Sequence, residues 1–249
     1  MAASTQTRGN ASTSDVIEPD PVEPSVGRGV ALGAALGVSA GITGALLGYA
    51  WMTATGTDMG LWVIARASGL VSYLLLTAVT VMGLLLASPP KAAARFLGAA
   101  QRLRIHVLLA IFALVFVVLH VVVLAIDPWA EVGWWGALVP FGSAYRPLPV
   151  TLGLLALWSG VISGMTAGLA GRGLGRVWLP LHRLAAAGWV LAWLHGVLAG
   201  SDTGAWMWMY GVTGAVVLAL VIRRVMARSP KDEAEELREE RMPREELLG

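Results

Sequence analysis

The chain has 249 residues, 56% of them hydrophobic and 14% charged, with 30 Gly, 11 Trp, four His and no Cys. A soluble domain carries about 25% charged residues, so this composition excludes an ordinary water-soluble globule. The missing thiols exclude disulfides, thiolate zinc, Cys-ligated iron–sulfur clusters and covalent C-x-x-C-H haem attachment. A net charge of +2 gives no reason to expect a nucleic-acid partner.

The first 29 residues are rich in Ser, Thr, Pro and acids and read as a disordered tail. They are too polar for a signal peptide, having no apolar run before a cleavage site. Six apolar stretches follow, each approaching the ~20 residues needed to cross a hydrocarbon core. They lie at Val30–Trp51, Ala67–Ala87, Ile105–Ile126, Val150–Ala170, Leu179–Gly200 and Trp206–Ile222. The last is the shortest. The expected fold class is therefore an all-α membrane protein, a six-transmembrane-helix bundle over residues 30–222. Residues 223–249 form a charged tail; eight acids and four bases fall in Ser229–Gly249.

Lys and Arg set the orientation. Arg28, Lys91, Arg95, Arg102, Arg104, Arg172, Arg176, Arg183, Arg223, Arg224 and Arg228 collect on one side, against only Arg66 and Arg146 on the other. Both termini are expected in the cytoplasm of a chain integral to the cell membrane. Thr53–Arg66, Asp127–Pro147 and Ser201–Ala205 then face outside. Trp51, Trp62, Trp129, Trp134, Trp135, Trp178, Trp206 and Trp208 sit where an aromatic belt belongs and carry no assigned chemistry. Gly33, Gly37 and Gly41 form one four-residue stripe, and Gly160, Gly164 and Gly168 another. Both are read as close packing within the bundle rather than as a dimer face.

The four histidines carry the chemistry. His106 and His120 lie on the third stretch, 14 residues apart; His182 and His195 lie on the fifth, 13 apart. An ionisable side chain at membrane depth is costly and marks a candidate site. The bland alternative, a lone His bonded to a carbonyl, weakens when four residues pair on two helices. The third and fifth stretches both run from cytoplasm to outside, so His106 can face His182 and His120 can face His195. Each pair offers two imidazoles to one metal, and axial His ligation of iron is a way to hold haem. Haem sites are accordingly expected between helices 3 and 5. Fourteen residues make close to four turns. Thirteen leave His195 about 140° around an ideal helix from His182, which calls for a local winding change or a kink, with Gly188 a candidate place. Zinc fits poorly because no carboxylate or thiolate lies near. A proton relay would recruit Asp or Glu, and none occurs in the six stretches.

This arrangement resembles the ferric reductase-like transmembrane domain shared by ferric reductases and NADPH oxidases. It is also similar to the haem-binding membrane subunit of the bacterial methionine-sulfoxide reductase system. The resemblance rests on H-x13-H at His106/His120 and H-x12-H at His182/His195, the latter within W-L-P-L-H-R-L-A-A-A-G-W-V-L-A-W-L-H-G. A-R-A-S-G at Ala65–Gly69 and V-P-F-G-S-A-Y-R-P-L at Val139–Leu148 add to it. It spans Val30 to Ile222.

The resemblance implies two b-type haems, with His106 and His182 ligating the inner iron and His120 and His195 the outer. It places Arg66 near the outer haem, binding propionates or an anionic acceptor; a snorkelling interfacial arginine is the other reading. Arg102, Arg104 and Arg183 serve inner propionates or simply follow the positive-inside rule. No G-x-G-x-x-G opens a βαβ unit, so no FAD or NAD site is expected in this chain. Electrons are then expected from a cytoplasmic flavoprotein or a membrane quinol. They would pass to an outside acceptor such as ferric iron or a periplasmic reductase. Leu124 stands where oxygen-reducing members carry a further histidine, which argues against superoxide production. Two rival readings remain: a quinol-oxidising haem anchor subunit of a periplasmic reductase, and a non-redox transporter or scaffold.

Overall fold

The computed structural model describes residues 26–56, 60–88, 98–169, 177–201 and 203–226. The tails expected at residues 1–29 and 223–249 fall mostly outside these. Among the described residues the fold is entirely helical, with no strand. It contains α1 (Val26–Thr55), α2 (Gly60–Ala87), α3 (Ala99–Ile126), a 3₁₀ turn (Pro128–Ala130), α4 (Gly133–Leu138) and α5 (Pro147–Gly168). After these come α6 (Trp178–His182), α7 (Leu184–Ala199) and α8 (Thr203–Met226).

Four of these helices, α2, α3, α5 and α8, are long and apolar enough to cross a membrane. Their ends run past the apolar stretches. Helix α2 starts at Gly60, placing Arg66 inside it, and α8 carries Arg223 and Arg224 in its last turn. Hydropathy finds only the hydrocarbon-depth part of a helix, whereas backbone hydrogen bonding continues into the polar interface.

The radial pattern is inverted relative to a water-soluble bundle. Large apolar side chains face outward, among them Leu46, Leu47, Val118 and Leu218. The buried set is rich in small and hydroxylated residues: Ala65, Ser68, Ser72, Thr77, Ala113, Thr151, Ser163 and Thr166. Small residues let helices approach closely where lipid competes for apolar contact. The hydroxyls of α2 are satisfied along its own backbone, Ser68 and Ser72 donating to Ile64 O and Ser68 O, and Thr77 and Thr80 to Tyr73 O and Leu76 O.

Two antiparallel helix pairs organise the bundle, α2 with α3 and α5 with α7. Helix α1 lies alongside α3 through its glycine stripe. A β-carbon on Gly33 would clash with Leu108 Cδ2, and one on Gly41 would fall 3.3 Å from Val115 Cγ1. This stripe packs as expected. For the second, nothing among the described residues lies within 4 Å of a β-carbon on Gly160, Gly164 or Gly168.

Helix α8 closes the bundle. Tyr73 and Thr213 share a hydroxyl hydrogen bond, and Trp193 Nε1 donates to Tyr210 O at 3.0 Å. Trp189, buried on α7, donates from Nε1 to Thr77 Oγ1 at 3.0 Å. At one end, the Arg223 and Arg224 guanidiniums donate to Ser88 O and Ser88 Oγ respectively. Exposed Trp129, Trp135 and Trp208 fit an interfacial belt. Trp189 and Trp193 are instead interior.

Candidate functional site: two histidine tiers between antiparallel helix pairs

The structure brings all four histidines together in the expected pairs. His106 and His182 have ring centroids 6.1 Å apart with planes at 71°. His120 and His195 are 6.4 Å apart at 78°. Helix α3 therefore runs parallel to the α6–α7 segment and faces it at two levels, with His182 ending α6 and His195 on α7.

Each ring is held by a backbone carbonyl of the helix antiparallel to its own. His106 Nδ1 lies 3.1 Å from Val79 O, and His120 Nδ1 2.7 Å from Ala65 O, both on α2. His182 Nδ1 lies 3.1 Å from Ser163 O, and His195 Nδ1 2.7 Å from Pro149 O, both on α5. A carbonyl only accepts, so each neutral ring carries its proton on Nδ1 and leaves a lone pair on Nε2. Fixing one nitrogen in this way orients the other as a ligand.

Glycine makes these approaches possible. Four residues beyond three of the four accepting carbonyls stand Gly69, Gly83 and Gly153; Ala167 follows the fourth. A β-carbon on Gly153 would lie 2.7 Å from His195 Nδ1, and one on Gly69 2.8 Å from His120 Nδ1. On Gly83 it would lie 3.3 Å from His106 Cε1. The acceptors repeat every 14 residues on both α2 and α5, matching the spacing of His106 and His120. Residues 69 and 83 share that period, a signal present in the sequence but not used in reading it.

The 13-residue spacing of His182 and His195 is resolved by a break between α6 and α7 at Arg183. There the Ala186 N–H donates to Arg183 O, a tighter three-residue turn. The expected irregularity is thus a local winding change at Arg183 and not a kink at Gly188. Gly188 lies within the regular α7, where a β-carbon would meet Ser159 Cβ at 2.9 Å, so it serves close packing against α5.

The other expected site residues divide by location. Arg66 follows Ala65, the acceptor for His120, and thus stands at the His120/His195 end. Its Nη1 donates to Ser201 Oγ at 3.1 Å, and its guanidinium carbon sits 4.7 Å from the Trp62 ring centroid. Arg102 lies one turn before His106 and is buried, its Nε and Nη1 without hydrogen-bond partners. Arg183 is the exposed residue at the α6–α7 break.

Two residues of the V-P-F-G-S-A-Y-R-P-L stretch, given no role of their own from the sequence, have a clear structural part. Tyr145 Oη donates to Ala199 O at 2.8 Å, and Arg146 Nη1 to Leu198 O at 2.7 Å. They satisfy carbonyls that the C-terminus of α7 leaves without partners. The loop containing V-P-F-G-S-A-Y-R thereby locks the helix that carries His195.

The donor set limits what each tier can hold. No group of three or more His, Asp or Glu side chains converges among the described residues. A four-coordinate zinc site lacks its ligands here. Each tier instead brings two imidazoles together, with ring centroids 6.1 and 6.4 Å apart. A histidine pair is a donor set that would fit haem iron. Comparison with family models, curated proteins and solved structures found no match for this chain.

Proposed function

We propose that this protein is a b-type membrane cytochrome with two haems, carrying electrons across the membrane to an outside acceptor. In this reading all six helical stretches span the bilayer, α6 and α7 together making the fifth, with both termini in the cytoplasm. The supporting observation is the two-tier pairing, with each Nδ1 held by a carbonyl and ring separations of 6.1 and 6.4 Å.

Haem iron supplies one-electron redox chemistry where it is bound. The chain's own residues do the rest. His106 and His182 bind on the cytoplasmic side, His120 and His195 on the outer side. The four carbonyls of α2 and α5 orient those ligands and keep Nδ1 protonated. Gly69, Gly83 and Gly153 keep the space beside the rings clear. Arg66 offers a guanidinium at the outer tier for a carboxylate, either a propionate or an anionic acceptor. Arg102, buried without partners for two of its nitrogens, offers the same at the inner tier. The donor is a cytoplasmic flavoprotein or a membrane quinol. The acceptor is ferric iron or a periplasmic reductase, with the methionine-sulfoxide system as the model.

The deciding experiment is a reduced-minus-oxidised spectrum with a pyridine haemochrome count on chain purified after haem-replete expression. Two b-type haems per chain are expected, and absence of a Soret band overturns the proposal. Reduction by a menaquinol analogue without flavoprotein assigns the donor as quinol.

A further inference from the structure

The end of α3 beyond the His120/His195 tier carries a second feature, independent of haem. A cleft of about 340 Å³ opens where the chain leaves α3 and turns into α4. Asp127 is 3% exposed, and its Oδ1 accepts from the Trp129 N–H at 3.0 Å, capping the 3₁₀ turn. Capping accounts for one oxygen only. Oδ2 is buried with no hydrogen-bond partner. A buried carboxylate oxygen left unpaired is costly and calls for a counter-charge.

The two charged side chains that line the cleft are both carboxylates. Asp127 caps the C-terminus of α3, where the helix dipole is negative and the last carbonyls lack intrahelical partners. Ala125 and Ile126, from that last turn, line the cleft. So does Glu131, which brings a second carboxylate and is held at φ 51°. No lining side chain carries a hydrogen-bond donor or a positive charge. Two carboxylates and no cationic side chain among the described lining residues disfavour an anion. No aromatic ring lines the cleft either, and aromatic faces are what recognise organic ammonium groups. Carboxylates and carbonyls without nitrogen or sulfur are the ligand set of a hard divalent cation, which completes its shell with water.

We infer that Asp127 and Glu131 form a binding site for a hard divalent cation of the Ca²⁺, Mg²⁺ or Mn²⁺ class. Asp127 is the buried anchor and Glu131 the exposed carboxylate that closes on the ion. Binding ties the C-terminus of α3 to the α3–α4 connection, two turns from His120.

The test is Mn²⁺ titration of the full chain in detergent, read by loss of the free-ion electron paramagnetic resonance signal. Wild type is expected to bind one Mn²⁺ saturably and to release it to excess Ca²⁺ or Mg²⁺. Asp127→Asn should abolish that site, and Glu131→Gln should weaken it roughly tenfold or more, since affinity follows ligand charge. Glu131 is exposed, so its variant tests the site even where Asp127→Asn impairs folding. No saturable binding in wild type, or identical titrations of wild type and Glu131→Gln, overturns the proposal.

Discussion

Gly153 and His195 meet so closely that a β-carbon at position 153 would stand 2.7 Å from the ring Nδ1. The same ring nitrogen lies 2.7 Å from Pro149 O, one turn earlier on α5. The missing side chain and the hydrogen bond are thus one device. A helix that carries Gly at the right register can offer a carbonyl to an imidazole from its neighbour. Ala65, Gly69 and His120 repeat the device on α2, as do Val79, Gly83 and His106.

Gly153→Ala should accordingly push His195 off its carbonyl. Overpacking of this kind costs about 1–3 kcal/mol, and the outer site should lose its haem while the inner one survives. Gly164→Ala is the control, because nothing lies within 4 Å of its added carbon. It should leave the spectrum unchanged and raise helix stability by about 0.5–1 kcal/mol. Thermal melts and haem content of the two variants check both outcomes.

The tier pairing predicts which histidines share an ion. His120→Ala and His195→Ala should each lower the haemochrome count from two per chain to one, leaving indistinguishable spectra. His106→Ala and His182→Ala should leave the other haem, with a different spectrum common to those two. Pairing along one helix instead would make His106→Ala match His120→Ala.

Arg146 holds Leu198 O at 2.7 Å, and Tyr145 holds Ala199 O at 2.8 Å. Arg146→Ala should destabilise the chain by about 1–2 kcal/mol, and Tyr145→Phe by about 1 kcal/mol. Because these carbonyls end the helix carrying His195, haem loss on heating should begin at the outer site. A melt followed by absorbance and by tryptophan fluorescence separates the two events.

Trp189 donates to Thr77 Oγ1 deep between α2 and α7. Thr77→Val keeps the shape but leaves the indole N–H unpaired, a loss of about 1–3 kcal/mol. Thr77→Ser should recover most of it. Denaturation midpoints of the three proteins give the comparison.

The orientation is open to cysteine mapping, since the chain has none of its own. Trp129 and Val225 are 77% and 79% exposed and lie at opposite ends of the bundle. Trp129→Cys should react with an impermeant maleimide in intact cells. Val225→Cys should react only after lysis. The reverse pattern would invert the proposed topology.

Helical character and the apolar spans were legible in the sequence because a hydrocarbon environment demands long runs of one kind of residue. The histidines were legible as a group because ionisable residues at that depth are rare. Their pairing followed from two parallel helices and a matched spacing. Helix ends were less so: Arg66, Arg223 and Arg224 are helical although they interrupt the apolar pattern. The register fault between His182 and His195 was visible as an angle, but not its remedy. Which residue breaks the helix depends on what packs around it. Gly188 is fixed by Ser159 on α5, while Arg183 stands exposed at the tight turn.

By itself, then, the sequence determined that the chain is a helical membrane protein with four imidazoles on two of its apolar stretches. Composition and periodicity suffice for that, because they act residue by residue against lipid. Only the tertiary structure decided which carbonyls hold those imidazoles, which glycines admit them, and that Asp127 is buried with one oxygen unmatched. Each of these depends on the relative height and rotation of two helices. That register is set by side chains packing across the whole bundle, and no local stretch of sequence contains it.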